Sequence, residues 1–189
     1  MFDCRYVFEN NWSVFFELLI DDFQMTISNR NTIPDALGLK LGVDGLLSLL
    51  DHKFTFEFEY TRIFGNTYIT RGWFTNWEDR NIPIGYKYGP DCQSIFLLIN
   101  HWLNDKILLS LSNTILEKGS LNLESPYTQY RAANTPFPTK PVEYYKYFSP
   151  SISRYSKYGI VETGWIGDLN DLKASSFYLK FQLLYNFGF

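Results

Sequence analysis

Histidine and cysteine are scarce in this chain, two of each in 189 residues. Neither His52 nor His101 stands in a cluster of Cys, His or carboxylates with metal-ligand spacing, so no metal site and no cofactor is expected. Cys4 and Cys92 lie far apart in the chain and read more readily as unrelated thiols than as a disulfide. No run approaches the ~18 consecutive apolar residues of a membrane-crossing helix, an absence that a membrane β-barrel shares. Charged residues are only 20% of the chain, and the net charge of −3 comes without a basic run, so nucleic acid is not the expected partner. The opening residues, Met1-Phe-Asp-Cys-Arg-Tyr-Val-Phe-Glu9, lack the basic region and apolar core of a signal peptide. No nucleophile elbow, phosphate-binding loop or metal motif is present, and enzymatic activity is not expected.

Aromatic residues are abundant instead, at 19%, led by 17 Phe and 14 Tyr. Their arrangement is clearest at the end of the chain, where every odd position from Phe177 to Phe189 is apolar while Lys180, Gln182 and Asn186 interrupt the even ones. A period of two is a β-strand with one oily and one mostly polar face. Membrane barrel strands need about 9–11 residues of this kind, with aromatics near the interfaces, and a terminal aromatic resembles the C-terminal signal read by the outer-membrane barrel assembly machinery. The alternative is the edge of a soluble sheet, as in a β-sandwich.

Similar alternation runs through residues 3–9, 12–21, 37–49, 54–61 and 106–115. A helix over 43–51 is the rival reading of the third, and Gly42 and Gly45 favour the strand. Residues 94–103 read as a strand of unassigned facing, and 157–166 as a weaker one. Periplasmic turns are short in bacterial barrels and extracellular loops long. A strand at 142–149, followed by a connection over 150–156, puts the short turns on one side. The connections 24–35, 64–92, 118–141 and 167–175 then fall on the other. That gives about nine antiparallel strands and no parallel pair, an odd number that predicts a piece of a larger barrel, either a mature segment or one whose front half is missing.

Three motifs then stand in order: Glu17-Leu-Leu-Ile-Asp-Asp-Phe-Gln24, the strand end Glu59-Tyr-Thr-Arg62, and the loop Ile82-Pro-Ile-Gly-Tyr-Lys-Tyr-Gly-Pro-Asp91. Together they resemble the C-terminal half of the Wzi-type capsule assembly family, over most of residues 15–189. The resemblance implies an outer-membrane barrel of about eighteen strands, of which this chain would be half. It also implies a non-enzymatic surface lectin that holds capsular polysaccharide or exopolysaccharide. The chain departs from the family in lacking a signal peptide, a periplasmic helical bundle and the first strands.

The connection 64–92 carries the expected sugar contacts: Arg71, Trp73, Trp77, Asp79, Arg80, Tyr86, Tyr88 and Asp91, with Tyr68 beside them. Flat aromatic rings suit the C–H face of a sugar, and Arg and Asp suit its hydroxyls and carboxylates. The same loop would serve equally as a plug in the barrel mouth or as an aromatic girdle. Gly85, Gly89 and Pro90 are read as turn formers. Glu57 and Glu59 share one strand face about 7 Å apart, a separation compatible with glycoside hydrolysis, but neighbours on one face are poorly placed to flank a bond from opposite sides. They are expected to form a polar lumen wall with Lys40 or Lys106. A porin-like channel for small solutes is the alternative function.

Overall fold

The computed structural model describes residues 1–8, 11–22, 36–49, 52–69, 78–79, 82–83, 85–125, 136–171 and 174–183. Eleven strands are present: β1 (Phe2–Phe8), β2 (Trp12–Asp22), β3 (Ala36–Leu49), β4 (His52–Ile63), β5 (Glu78–Asp79), β6 (Ile82–Pro83), β7 (Cys92–Asn104), β8 (Ile107–Lys118), β9 (Glu143–Ser156), β10 (Gly159–Asp168) and β11 (Ser176–Leu183). Nine of them form one open antiparallel sheet in the order β1-β2-β3-β4-β7-β8-β9-β10-β11, and β5 and β6 form a separate two-stranded ribbon inside the connection 64–92. The chain is therefore all-β, and each large-sheet strand pairs with its neighbour in sequence apart from that inserted ribbon. No second sheet covers the first among the described residues. Consistent with a single layer, the chain exposes 13234 Å² for 22.3 kDa, against about 9,400 Å² for a compact soluble chain of that mass.

Register sorts the side chains onto two faces, because cross-strand partners share a side. One face carries Val14, Phe16 and Leu18 on β2, Leu39, Leu41 and Val43 on β3, and Phe54, Phe56 and Phe58 on β4. It continues through Ile95, Leu97 and Ile99, then Leu109, Leu111 and Ile115, to Val161 opposite Phe181 and Thr163 opposite Leu179. Asn113, between Leu97 and Phe148, and Lys146, opposite Ile115, are its polar interruptions. Many of these side chains are exposed, including Phe58 at 40%, Leu97 at 37% and Phe181 at 68%. The other face is polar. There Arg5 lies 3.1 Å from Asp44, Ser13 donates to the same carboxylate at 2.9 Å, and Lys180 is the cross-strand partner of Glu162.

The apolar face has polar margins. At the loop end Arg62, Gln93 and Glu117 follow one another across three strands, and Gln93 donates to Glu117 at 2.5 Å. At the turn end the rings of His52 and His101 meet at 5.0 Å, with Arg154 two strands on. From His52 to Arg62, at about 3.3 Å per residue, the apolar band runs about 33 Å along the strand.

Several boundaries differ from those read in the sequence. The residues placed in a 150–156 connection are strand, since β9 runs on to Ser156 and the turn is Lys157-Tyr158. Pro150 within β9 cannot donate to a ladder. The sheet accommodates it by interrupting the β9–β10 pairing, which passes from Gly164–Ser151 to Gly167–Phe148. Residues 43–49 are strand and not helix. The unassigned 94–103 segment puts its odd positions on the apolar face, while Phe96 and Leu98 face the polar side. Residues 184–189, including Phe189, lie outside the described residues.

Candidate functional site

The loop end of the polar face is where the connections converge. Phe64 and Thr67 fold back onto β3, their amide and hydroxyl donating to the Leu37 carbonyl at 2.9 and 2.7 Å. Tyr68 adopts a left-handed backbone (φ 69°), and its amide donates to Asp21 at 3.0 Å, so this acidic strand end holds a loop. Gly85 (φ 142°) lies beneath the Tyr68 ring, where a Cβ would come within 2.9 Å of the aromatic carbons. The glycine of the third motif is thus required twice over, by backbone conformation and by the ring above it.

Asp91 is fully buried and also left-handed (φ 55°). Its carboxylate accepts from the Leu121 amide at 3.1 Å and the Thr139 amide at 3.0 Å, and its carbonyl accepts from Gly119 at 2.7 Å. Gly119 leaves the room, since a Cβ there would sit 2.2 Å from the carboxylate. Beside it the Lys118 ammonium donates to the Pro90 and Leu121 carbonyls. Asp91 was expected to contact sugar. Buried with both oxygens occupied, it fastens the loop bases of two connections together, 64–92 and 118–141, and offers no carboxylate to solvent.

Above this knot the loop 85–91 lies over the polar face. The Tyr86 hydroxyl bonds to Ser94 on β7, and burial pushes its phenol up to about 12, the Ser94 bond pulling partly the other way. Tyr86 meets Tyr88 edge-on at 5.5 Å. Tyr88 is nearly parallel to Tyr147 of β9 (8°, 6.5 Å), and Tyr147 to Tyr145 (7°, 5.9 Å). Lys87 reaches over the Tyr88 ring at 4.8 Å. Four tyrosines therefore form a half-buried row along the polar face, two from the loop and two from a strand. Tyr86 also borders a cavity of about 360 Å³ lined by Leu19, Lys40, Thr61, Ile63 and Tyr68 among others. Rings with hydroxyl rims beside an apolar cavity with few charges suit a ligand that is apolar on one side and hydroxylated at its edge.

Of the sugar contacts read from sequence, Tyr86 and Tyr88 are brought together, Asp79 lies on β5, and Arg71, Trp73, Trp77 and Arg80 fall outside the described residues. Tyr145 and Tyr147 were missed. Alternation hides them, because Tyr144 and Phe148 on the opposite face are aromatic as well.

The wall further down follows expectation in part. Lys40 lies 3.5 Å from Glu17 and 3.6 Å from Glu59. Lys106 occupies the turn before β8, whereas Glu57 faces Leu98 and through it Ser112, deep in the sheet, so Lys106 is remote from the glutamates. Replacing Lys40 by Met should cost about 1–2 kcal/mol by leaving two carboxylates facing each other, and adding Glu59→Gln should recover part of the loss. A double-mutant cycle of denaturation midpoints checks this. Among the described residues no group of His, Cys, Asp and Glu could hold a metal ion.

The chain matches no family model, no curated protein and no solved structure.

Proposed function

We propose that this chain is a segment of an outer-membrane β-barrel whose outer mouth holds a capsular polysaccharide or exopolysaccharide without changing it chemically, in the manner of the Wzi-type proteins its motifs resemble. The observation that carries this reading is the sidedness of the sheet. One largely exposed face is mostly apolar across nine strands, interrupted by Asn113 and Lys146, and would stand about 25 Å tall at a barrel tilt of about 40°, which suits lipid, while the opposite face bears ion pairs and suits a lumen. Most strands in the sheet have 10–14 residues, enough to cross a bilayer at a tilt. The lectin is favoured over a porin-like channel by the loop end of the polar face. There Tyr68, Tyr86 and Tyr88 fill space that a channel would leave open and charge-lined.

Weak single contacts suffice for such a role, since a long polymer engages many copies and avidity exceeds single-site affinity by about 10²–10⁴. The test is Arg71→Ala with Arg80→Ala in cells that display capsule. Expected is release of polymer into the medium at unchanged barrel level in the outer membrane. Unchanged surface retention would make this loop structural, and an elevated small-solute permeability in liposomes would favour the channel.

A further inference from the structure

The tyrosine row also bears on which units of a polymer it accepts, an inference that rests on the lectin reading. We infer that Tyr88, Tyr147 and Tyr145 form a track for uncharged hexose units, and that the track disfavours uronate units. Two observations carry this. First, each ring in the series Tyr88, Tyr147, Tyr145 is within 8° of parallel to the next, at 6.5 and 5.9 Å, and the row ends through Tyr86 at the 360 Å³ cavity, which has room for a terminal sugar. A run of similar rings provides similar contacts to successive sugar units, as stacking platforms do for successive bases.

Second, the row is flanked by carboxylates. Glu143 accepts from the Tyr145 hydroxyl. Asp168 faces Tyr147 across the β9–β10 pair and accepts the Asn170 amide at 2.8 Å. At the cavity end two carboxylates, Glu17 and Glu59, share the single Lys40. Of the cations nearby, Lys118 is turned to backbone carbonyls, and Lys87 stands over the ring at the loop side of the row. A carboxylate accepts hydrogen bonds from sugar hydroxyls and repels a sugar that is itself anionic. Acidic units of a mixed polymer would then be left to Arg71 and Arg80, and neutral units would enter the track.

The test uses the full chain in detergent micelles, with two oligosaccharide probes of equal length, a neutral oligohexose and an oligouronate. Their binding is measured by calorimetry at low salt. Wild type is expected to prefer the oligohexose. Tyr145→Ala with Tyr147→Ala should weaken that binding about tenfold. Glu143→Gln with Asp168→Asn, which changes little of the packing, should strengthen oligouronate binding at least about threefold. A heat-modifiable band on electrophoresis reports that each variant is folded. The track is overturned if wild type prefers the oligouronate, if the tyrosine variant binds the oligohexose unchanged, or if the carboxylate variant leaves oligouronate binding where it was. A wild-type chain that binds neither probe overturns the lectin reading and the track together.

Discussion

Leu97→Arg should lower the unfolding free energy in phospholipid vesicles by about 2–4 kcal/mol, whereas Leu98→Arg should change it by less than about 1 kcal/mol. The two residues are neighbours on β7 and differ only in the face they present. Leu97 sits between Phe58 and Asn113, near the middle of the apolar band, and is exposed there. An arginine at that depth must carry its charge through hydrocarbon or pull the bilayer inward. Leu98 lies opposite Glu57 on the polar face and lines an open pocket with Arg5, Asp44 and Asn100, so an arginine there meets a carboxylate and water. Urea titration of the refolded chain in vesicles reads both values. Equal effects at the two positions would mean that the faces do not differ in solvent.

The second large effect is expected at Asp91. Replacing it by Ala leaves the amides of Leu121 and Thr139 without their acceptor in a buried setting, at a cost of about 1–3 kcal/mol for each. Alanine also tolerates the left-handed backbone poorly. The sum should reach about 3–5 kcal/mol, and Asp91→Asn, which keeps one oxygen and suits that backbone, should lose about half as much. Because the knot joins loops and not strands, the damage should be local. Hydrogen exchange at Leu121 and Thr139 should accelerate in the Ala variant while amides at the turn end of β4 and β7 keep their protection. Uniform acceleration would place Asp91 in the stability of the whole sheet.

What the sequence made legible followed from period two. The strand succession, the absence of parallel pairs, the strand after residue 142 and the exposed odd positions of the last strand all came from alternation and loop length. Legibility failed where both parities are apolar. Phe96 and Leu98 made β7 unreadable as to side, and Tyr144, Tyr145, Tyr147 and Phe148 concealed the tyrosine row in the same way. The end of β9 was cut short because loop-length parity asks for a strand there without fixing its bounds, and the sheet carries Pro150 by giving up the matching pairs with β10. Asp91 was misassigned because a loop aspartate after Gly-Pro looks the same in sequence whether it faces solvent or caps buried amides. Its left-handed backbone appears only in the structure, as does the meeting with residues 121 and 139 from a distant connection.

The direct test of the central claim is solvent contact along β4 and β7. Nitroxide labels placed singly at positions 56, 58, 97 and 99, and at 57, 59, 98 and 100, can be read in vesicles by power saturation with oxygen, which partitions into lipid, and with a water-soluble nickel chelate. Expected is strict alternation, with the first set accessible to oxygen and shielded from nickel and the second set the reverse. Labels at 58 and 97 that are shielded from both reagents, or as open to nickel as those at 57 and 98, would contradict a lipid-facing sheet.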